Sequence, residues 1–393
     1  MNQFEVSVPL RMAVGVFGHL LPIAALAGAA DIQPQPLTQL DAPEQCEASD
    51  ALSFVCGAGQ PEDLAWLPAT RWMLVGGFSA GSGLKLLNVA SKRLERWTGQ
   101  DERDWAFDRG RFPHCGGRPD PALMNVQGVS LRRVRDGVYR LLASNHGGRE
   151  AIEVFEIQVN QADASARPAI RWVGCLPLPP GLAANSVSSF PDGTVLATVL
   201  TMPGHTMADY VQGRDTGVVL EWTPGATGFR AVPGTELPGN NGIEADPDDR
   251  HFYVVAFGRH AIVGFERGRR ARRLFEAVAP GFMPDNIHWD GSRLLAAGMQ
   301  YDEPACGGLR KVIDGVAETM TCHRGYTAAW LDPRALRWQI LSYDVPNPAF
   351  NGVSTAAMVG SDLWLGSFQS DRLAYRSVPG RSSSVPQPSP AAR

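Results

Sequence analysis

The chain has little charge for its length and no block of like charge. It carries 40 acidic and 36 basic residues in 393, for a formal charge of -4. Binding to a phosphate backbone needs clustered basic side chains, so this distribution excludes a nucleic-acid partner. Charged residues make up 19% of the chain and hydrophobic residues 44%. Such a balance can bury a core and excludes disorder over most of the length.

Long apolar runs are missing except at the N-terminus. Arg11 precedes residues 12–30, which contain no Asp, Glu, Lys or Arg and end in small residues. This pattern predicts an export signal over residues 1–30 and a secreted or periplasmic location, with an uncleaved membrane anchor as the alternative. We expect residues 31–380 to be one domain without stable membrane insertion. Residues 381–393, rich in Ser, Pro and Ala, predict a disordered tail.

The six cysteines include no C-x-x-C pair. A zinc site is the competing interpretation, but that spacing disfavours it, and in an exported chain disulfides are the default. Three disulfides are expected. Cys306 and Cys322 flank a turn-rich insertion, so we predict that pair.

Glycine and proline are abundant instead, at 42 and 30 residues, while long amphipathic helices are missing. Turns alternate with short apolar strands, and a polar residue opens a strand about every 60 residues. Six repeats of this size predict an all-β fold, a six-bladed β-propeller with four strands in each blade. The markers of the six repeats are Glu62, Asn125, Asn185, Asn241, Asn286 and Asn351.

These strand-opening residues have a chemical meaning in a propeller. The fold brings the start of every innermost strand to one central channel. Carboxylate and amide oxygens are the ligands that calcium prefers, and no thiol or imidazole is needed. Turn capping by Asn and Asp is the alternative, and the residues alone leave both interpretations open. The candidate ligands are Glu62, Asn185, Asn241, Asp285 and Asn286.

Several segments resemble the paraoxonases, which are calcium-dependent lactonase and arylesterase propellers. They lie in order within about residues 40–376 and comprise 61–68 (PEDLAWLP), 144–146 with 153–155, 241–248 (NGIEADPD), 285–287 (DNI), 354–356 and 363–366. Gluconolactonases and strictosidine synthases are similar in architecture. The resemblance implies a six-bladed propeller with one catalytic calcium held by the five candidate ligands.

The family also has two histidines beside its calcium, nineteen residues apart, and this chain departs from that pattern. His146 is present, whereas Gln127 stands at the other position. Glutamine takes no proton near neutral pH, so the water-activating pair implied by the resemblance is incomplete. For His146 itself, a buried histidine satisfied by backbone carbonyls is the alternative to a residue of the pocket wall. A pocket histidine of the family aligns near Gln300, which indicates a remodelled pocket.

A second, structural calcium is implied by the resemblance at Asp63, Val129 and Ser186. Ser186 stands where the family has an aspartate, so this second ion has lost one charged ligand. We therefore expect one catalytic Ca²⁺, and the sequence leaves open whether the second, structural ion is retained.

These residues favour a calcium-dependent hydrolase of lactones or esters that acts on a small-molecule substrate. The metal would polarise the carbonyl, and Glu62, Asp285 or His146 would activate water. The alternative is a non-hydrolytic propeller, either a lyase or isomerase that uses the same metal or a binding module with a structural calcium.

A rival motif, G-x-S-x-G, occurs at residues 77–81 around Ser79. A nucleophile elbow needs a helix immediately after its serine, whereas the sequence here predicts the return strand of a hairpin. We therefore expect no serine nucleophile. Residues 97–124 are long for a hairpin connection and are predicted to form a lid at the channel mouth.

Overall fold

The computed structural model describes residues 46–378. The predicted export segment at 1–30 and the predicted tail at 381–393 lie outside the described residues. Within 46–378, no helix has both the length and the apolar character needed to span a membrane.

Antiparallel β-sheets of four strands make up almost all of the described chain, and there are six of them. Each sheet is one blade, and its strands follow one another outward from the channel in chain order, except that the first strand of the described chain completes the last blade. The strands are β1 (Ser53–Val55); β2 (Leu64–Trp66), β3 (Trp72–Val75), β4 (Lys85–Asn88) and β5 (Arg93–Arg96) in blade 1; β6 (Val126–Arg135), β7 (Val138–Asn145), β8 (Ala151–Gln158) and β9 (Ala169–Pro177) in blade 2; β10 (Val187–Ser189), β11 (Val195–Val199), β12 (Val218–Trp222) and β13 (Arg230–Ala231) in blade 3; β14 (Asn240–Ala245), β15 (His251–Ala256), β16 (Ala261–Glu266) and β17 (Arg272–Val278) in blade 4; β18 (Phe282–Asp290), β19 (Arg293–Gln300), β22 (Tyr326–Asp332) and β23 (Arg337–Asp344) in blade 5; and β24 (Val353–Val359), β25 (Asp362–Ser367) and β26 (Leu373–Ser377) in blade 6; β20 (Val312–Ile313) and β21 (Val316–Ala317) form a small hairpin.

The six blades form a closed ring. Every innermost strand contacts the innermost strand of the next blade, and β24 of blade 6 contacts β2 of blade 1. Strand β1 pairs antiparallel with β26, so the beginning and the end of the described chain share blade 6. The predicted six-bladed propeller is therefore confirmed, with its channel lined by β2, β6, β10, β14, β18 and β24.

Apolar side chains pack between neighbouring blades, as expected for sheets that are buried on both faces. Trp172 of blade 2 and Trp364 of blade 6 are fully buried, as expected for large aromatic packing residues. In residues 46–378 the connections contain one short helix, α1 (Met207–Val211), and three 3-10 turns (Glu102–Asp104, Phe257–Arg259 and Pro304–Cys306).

Three disulfides join all six cysteines: Cys46–Cys56, Cys115–Cys175 and Cys306–Cys322. The predicted Cys306–Cys322 pair is confirmed. Disulfides form and persist in oxidising compartments, so the chain is suited to one.

The prediction of a lid is wrong for the middle of residues 97–124. The backbone N–H groups of Ala106 and Asp108 donate to Trp172 and Val173 on the outermost strand of blade 2, and Cys115 is bonded to Cys175 of the same strand. This segment therefore covers the outer edge of blade 2, away from the channel. An uncovered outermost strand would leave its backbone groups unpaired.

Candidate metal centre

The innermost strands share an irregularity near their first residues. The register of the first two strands shifts in four blades, between Val126 and Val129, Asn240 and Ile243, Pro284 and Ile287, and Val353 and Thr355. A β-bulge turns side chains away from the alternation of a regular strand. Asn241, Asp285 and Asn286 all lie inside these bulges, so the local backbone explains why consecutive polar residues are buried here. We call this end of the channel the upper mouth.

Glycines in two bulges allow the next blade to approach closely. A Cβ atom at Gly242 would lie 2.4 Å from the carbonyl oxygen of Asp285, and one at Gly128 would lie 2.7 Å from Cα of Ser186. Only glycine tolerates such contacts with neighbouring backbone. Blade 4 is thus drawn against the ligand-bearing strand of blade 5, and blade 2 against the Asn185–Ser186 segment of blade 3.

Two pairs of the candidate ligands are hydrogen-bonded to one another. The amide nitrogen Nδ2 of Asn286 donates to Oε1 of Glu62 at 2.7 Å, and the side chain of Asn241 donates to the carboxylate of Asp285. A carboxylate can only accept from these amides, so the amide orientation is fixed and each Oδ1 is turned away. The structure thereby brings blade 1 to blade 5 and blade 4 to blade 5 at the upper mouth.

Four of the five candidate ligands keep a buried oxygen that accepts no hydrogen bond within the described part of the chain. Buried polar atoms are nearly always paired, and leaving one unpaired costs about 1–3 kcal/mol. Oxygens directed at a hard cation would explain all four at once. Asn125, the blade 2 marker that the sequence did not place in the ligand set, also has an unpaired Oδ1. The four oxygens are Glu62 Oε2, Asn185 Oδ1, Asn241 Oδ1 and Asn286 Oδ1.

The electrostatics of the upper mouth favour a cation. Burial raises the pKa of Glu62 well above its usual value, and the charges of Asp63 and Asp285 raise it further. Burial also raises the pKa of Asp285 to about 7, opposed by the hydrogen bond from Asn241 and reinforced by the Asp63 charge. Without a counter-charge both carboxylates are costly as anions, and a divalent ion removes this cost. The donor set and its charge therefore fit calcium.

Asp63 differs from its neighbour Glu62, because its carboxylate is fully paired. Its Oδ1 accepts from the N–H of Leu64 at 2.8 Å, from Oγ1 of Thr355 at 2.9 Å and from Nε2 of His288 at 2.6 Å. Its Oδ2 accepts from the N–H of Val129 at 2.8 Å. Val129, expected near a second ion, thus points its N–H at the carboxylate. Ser186 is buried, and its own N–H donates to Thr198 in blade 3.

His288 was given no role by the sequence, yet it lies in the channel. Burial lowers its pKa, but the charges and hydrogen bonds of Asp63 and Glu244 outweigh burial and raise the pKa to about 10. A signal was present, since His288 is two residues after Asn286 and alternate residues of a strand share a face. The imidazole also borders a cavity of about 540 Å³ at the opposite end of the channel, which we call the lower mouth.

His146 is held by two polar side chains. Its Nδ1 lies 2.7 Å from a carboxylate oxygen of Glu150, and its Nε2 lies 2.7 Å from Oε1 of Gln127. The structure therefore brings Gln127 and His146 together. No hydrogen bond among residues 46–378 joins His146 to Glu62 or Asp285. Both ring nitrogens contact side chains, so the alternative of a histidine satisfied by backbone carbonyls is wrong.

Gln300 lies at the end of β19 in blade 5. Its amide nitrogen donates to the carbonyl of Asp344 in the same blade at 3.3 Å. This contact uses the amide within the blade and not toward the ligand set. Ser79, in the rival motif, is followed by strand β4 and its hydroxyl donates to Gln60 at 2.9 Å, so the helix of a nucleophile elbow is absent there.

Comparisons with known proteins give structural neighbours of low identity. No family model matches the chain, and no curated protein matches it. A gluconolactonase from Xanthomonas campestris shares 17% identity over 84% of this chain and 89% of its own, with a TM-score of 0.48. A putative gluconolactonase shares 14% over 90% and 98%, with a TM-score of 0.49. The calcium-binding protein regucalcin from Agrobacterium tumefaciens shares 10% over 86% and 95%, with a TM-score of 0.47. The strand pairing of the chain itself establishes the propeller.

Proposed function

We propose that this protein is a calcium-dependent hydrolase of lactones or esters that acts on a small-molecule substrate outside the cytoplasm. The observation that carries the proposal is the set of four unpaired, buried oxygens contributed by blades 1, 3, 4 and 5 at one end of the channel. Oxygen ligands of this kind suit calcium and not a softer metal. The three disulfides support an oxidising compartment.

Five side chains would hold the ion: Glu62, Asn185, Asn241, Asp285 and Asn286. When bound, calcium supplies a positive charge that stabilises the oxyanion formed on the substrate carbonyl. Asn286 and Asn241 orient the two carboxylates by donating to them. This leaves the carboxylates rigid before substrate arrives, which lowers the cost of reorganisation during the reaction.

A base must take a proton from the attacking water. Gln127 and Glu150 each occupy one ring nitrogen of His146, so that ring has no free nitrogen in this arrangement. We therefore assign proton acceptance to a carboxylate oxygen, with Asp285 as the first candidate and Glu62 as the second. His146 then acts as a pocket-wall residue held between Gln127 and Glu150.

The test is a panel of lactones and aryl esters, assayed on the purified protein with added calcium and with a chelator. Turnover that disappears with chelator and is restored by calcium supports the proposal. Asp285→Asn should abolish turnover, whereas Asp314→Asn, at an exposed turn of the β20–β21 hairpin, should leave it unchanged. Asparagine tolerates the positive φ of 50° at that turn. A protein that hydrolyses none of the panel while binding calcium would refute the hydrolase.

The second candidate is a non-hydrolytic propeller, and the occupied ring of His146 favours it. A binding module with a structural calcium needs no free base, and a lyase or isomerase would use the metal to stabilise an enolate. Calcium-dependent stability without ester turnover would support this candidate.

A further inference from the structure

Besides Glu62 and Asp285, the channel contains a third buried carboxylate, Asp63, whose contacts differ from theirs. Asp63 is fully buried, and its two oxygens accept four hydrogen bonds from four blades. The donors are Leu64 in blade 1, Val129 in blade 2, His288 in blade 5 and Thr355 in blade 6. A carboxylate offers about four lone-pair sites. Oδ1 accepts three of the four bonds and Oδ2 accepts one, so Oδ1 has no lone pair left for an ion.

The position of His288 links this carboxylate to a second one. Its Nε2 lies 2.6 Å from Asp63, and its Nδ1 lies 3.7 Å from Oε2 of Glu244 in blade 4. The side chain is 19% exposed, and the exposed part faces the cavity of the lower mouth, which Trp66, Arg132, Glu244, Trp289 and Met358 also line. The three side chains form a bridge from blade 1 through blade 5 to blade 4, immediately below the candidate metal centre.

A second calcium at Asp63, Val129 and Ser186 does not fit this arrangement. A cation needs lone pairs directed at it, yet Val129 directs an N–H toward Asp63 and His288 directs another. Ser186 contributes only a neutral hydroxyl, so one carboxylate would have to bind the ion almost alone. An ion and the imidazole nitrogen also cannot occupy the same 2.6 Å approach to Oδ1.

We infer that this chain holds no second ion and that the imidazole of His288 stands in its place. The Asp63–His288–Glu244 bridge joins the blades where a structural metal otherwise would. The lower half of the channel is therefore held together independently of calcium, and only the upper mouth responds to it.

The experiment counts calcium ions per chain by isothermal titration and by metal analysis of the dialysed protein. We expect one ion for the native protein. The double variant His288→Asn with Ser186→Asp vacates the approach to Asp63 and restores a second carboxylate, and it should bind one ion more than the native protein. His260→Asn is the matched control, since the ring of His260 stacks on Tyr301 and asparagine tolerates its positive φ of 52°, and it should leave the count unchanged.

Two results would overturn the inference: a native protein that binds two ions, one of which is lost in Asp63→Asn, or a folded double variant whose ion count equals that of the native protein. A native count of zero contradicts the proposed hydrolase centre alone, because the double variant would still gain one ion if the inference holds. If the variants fail to fold, NMR of the native protein tests the inference through the ring N–H resonance of His288. It should persist unchanged from chelator to saturating calcium, and its loss on adding calcium would show an ion displacing the ring.

Discussion

Glu62 and Asp63 are consecutive, acidic and buried, yet their surroundings are opposite. Glu62 shares one oxygen with Asn286 and leaves the other unpaired, while Asp63 accepts four hydrogen bonds. The partners of Asp63 include residues more than 200 positions away in sequence. A carboxylate in this channel is thus left available to a metal ion by the lack of internal donors, and not by its own identity.

The same contrast recurs in the residues that face this pair. Ser354 donates to the backbone carbonyl of Glu62 at 2.6 Å, and the next residue, Thr355, donates to the side chain of Asp63 at 2.9 Å. Blade 6 therefore fixes the backbone at one position and neutralises the side chain at the other. The carboxylate of Glu62 remains available for a ligand.

The largest effect is expected from exchanging each carboxylate for its amide. Asp63→Asn places an NH2 group among four donors and should destabilise the protein by about 3–5 kcal/mol, the range for breaking a buried, paired charge. Glu62→Gln removes a buried carboxylate whose Oε2 accepts no hydrogen bond within residues 46–378, so in chelator it should not lower stability. Urea denaturation of both variants in chelator measures the difference. Equal losses in the two variants would mean that the two carboxylates have similar environments after all.

Calcium should stabilise the protein through the metal centre that contains Glu62, and not through Asp63. An ion that binds the folded state alone stabilises it by about 2.7 kcal/mol at a hundred times its Kd. Native protein should therefore melt at a higher temperature in calcium than in chelator. Asp285→Asn should lose this difference but melt above the native protein in chelator, because it removes a buried charge. Asn241→Ala, which removes a neutral donor, should weaken calcium binding less. An unchanged native melt in both conditions would contradict the metal centre.

The sequence predicted the propeller, and with it polar residues at the starts of the channel strands, for a physical reason. Turns, short strands and a polar residue at each strand start repeat along the chain, and the fold superimposes such repeats around one axis. The environment of Asp63 was not predictable in this way. It depends on donors from Val129 and Thr355, whose orientation is set by bulges in β6 and β24. The packing of residues 105–115 against blade 2 was also missed, since loop length does not indicate which edge a loop covers.

Lys85 extends the comparison to a buried charge of the other sign. It is 1% exposed, its Nζ donates to Ser82, and burial followed by repulsion from Arg96 lowers its pKa to about 7. The folded pKa lies below the unfolded value near 10.5, so the unfolded state binds more protons between these values and stability rises with pH from about 7 to about 10.5. Below pH 7 the full penalty is present.

Lys85→Met should therefore stabilise the protein at pH 6 by about 2 kcal/mol, within the range for replacing buried charges by apolar side chains. The gain should shrink as pH rises toward 10. Denaturation at several pH values measures it, with Lys92→Met, a half-buried lysine that lies over the rings of Trp364 and Tyr375, as the control that should gain nothing. A stability loss in Lys85→Met at all pH values would show that the ammonium has a stabilising partner.

The smallest effect tests one donor of Asp63. Thr355→Val keeps the shape of the side chain but removes the hydroxyl that donates to Oδ1, and three donors remain. The loss should be about 1.5 kcal/mol, the lower end for a hydrogen bond to a charged group. Because Asp63 is separate from the ion in our interpretation, the loss should be the same in calcium and in chelator. Thr235→Val is the matched control, since Thr235 is also fully buried but donates to the carbonyl of Val232. In double-mutant cycles with Asp63→Asn, Thr355→Val should show coupling and Thr235→Val should not. If Thr355→Val instead lowers calcium affinity tenfold, Asp63 belongs to the metal centre and the contrast with Glu62 fails.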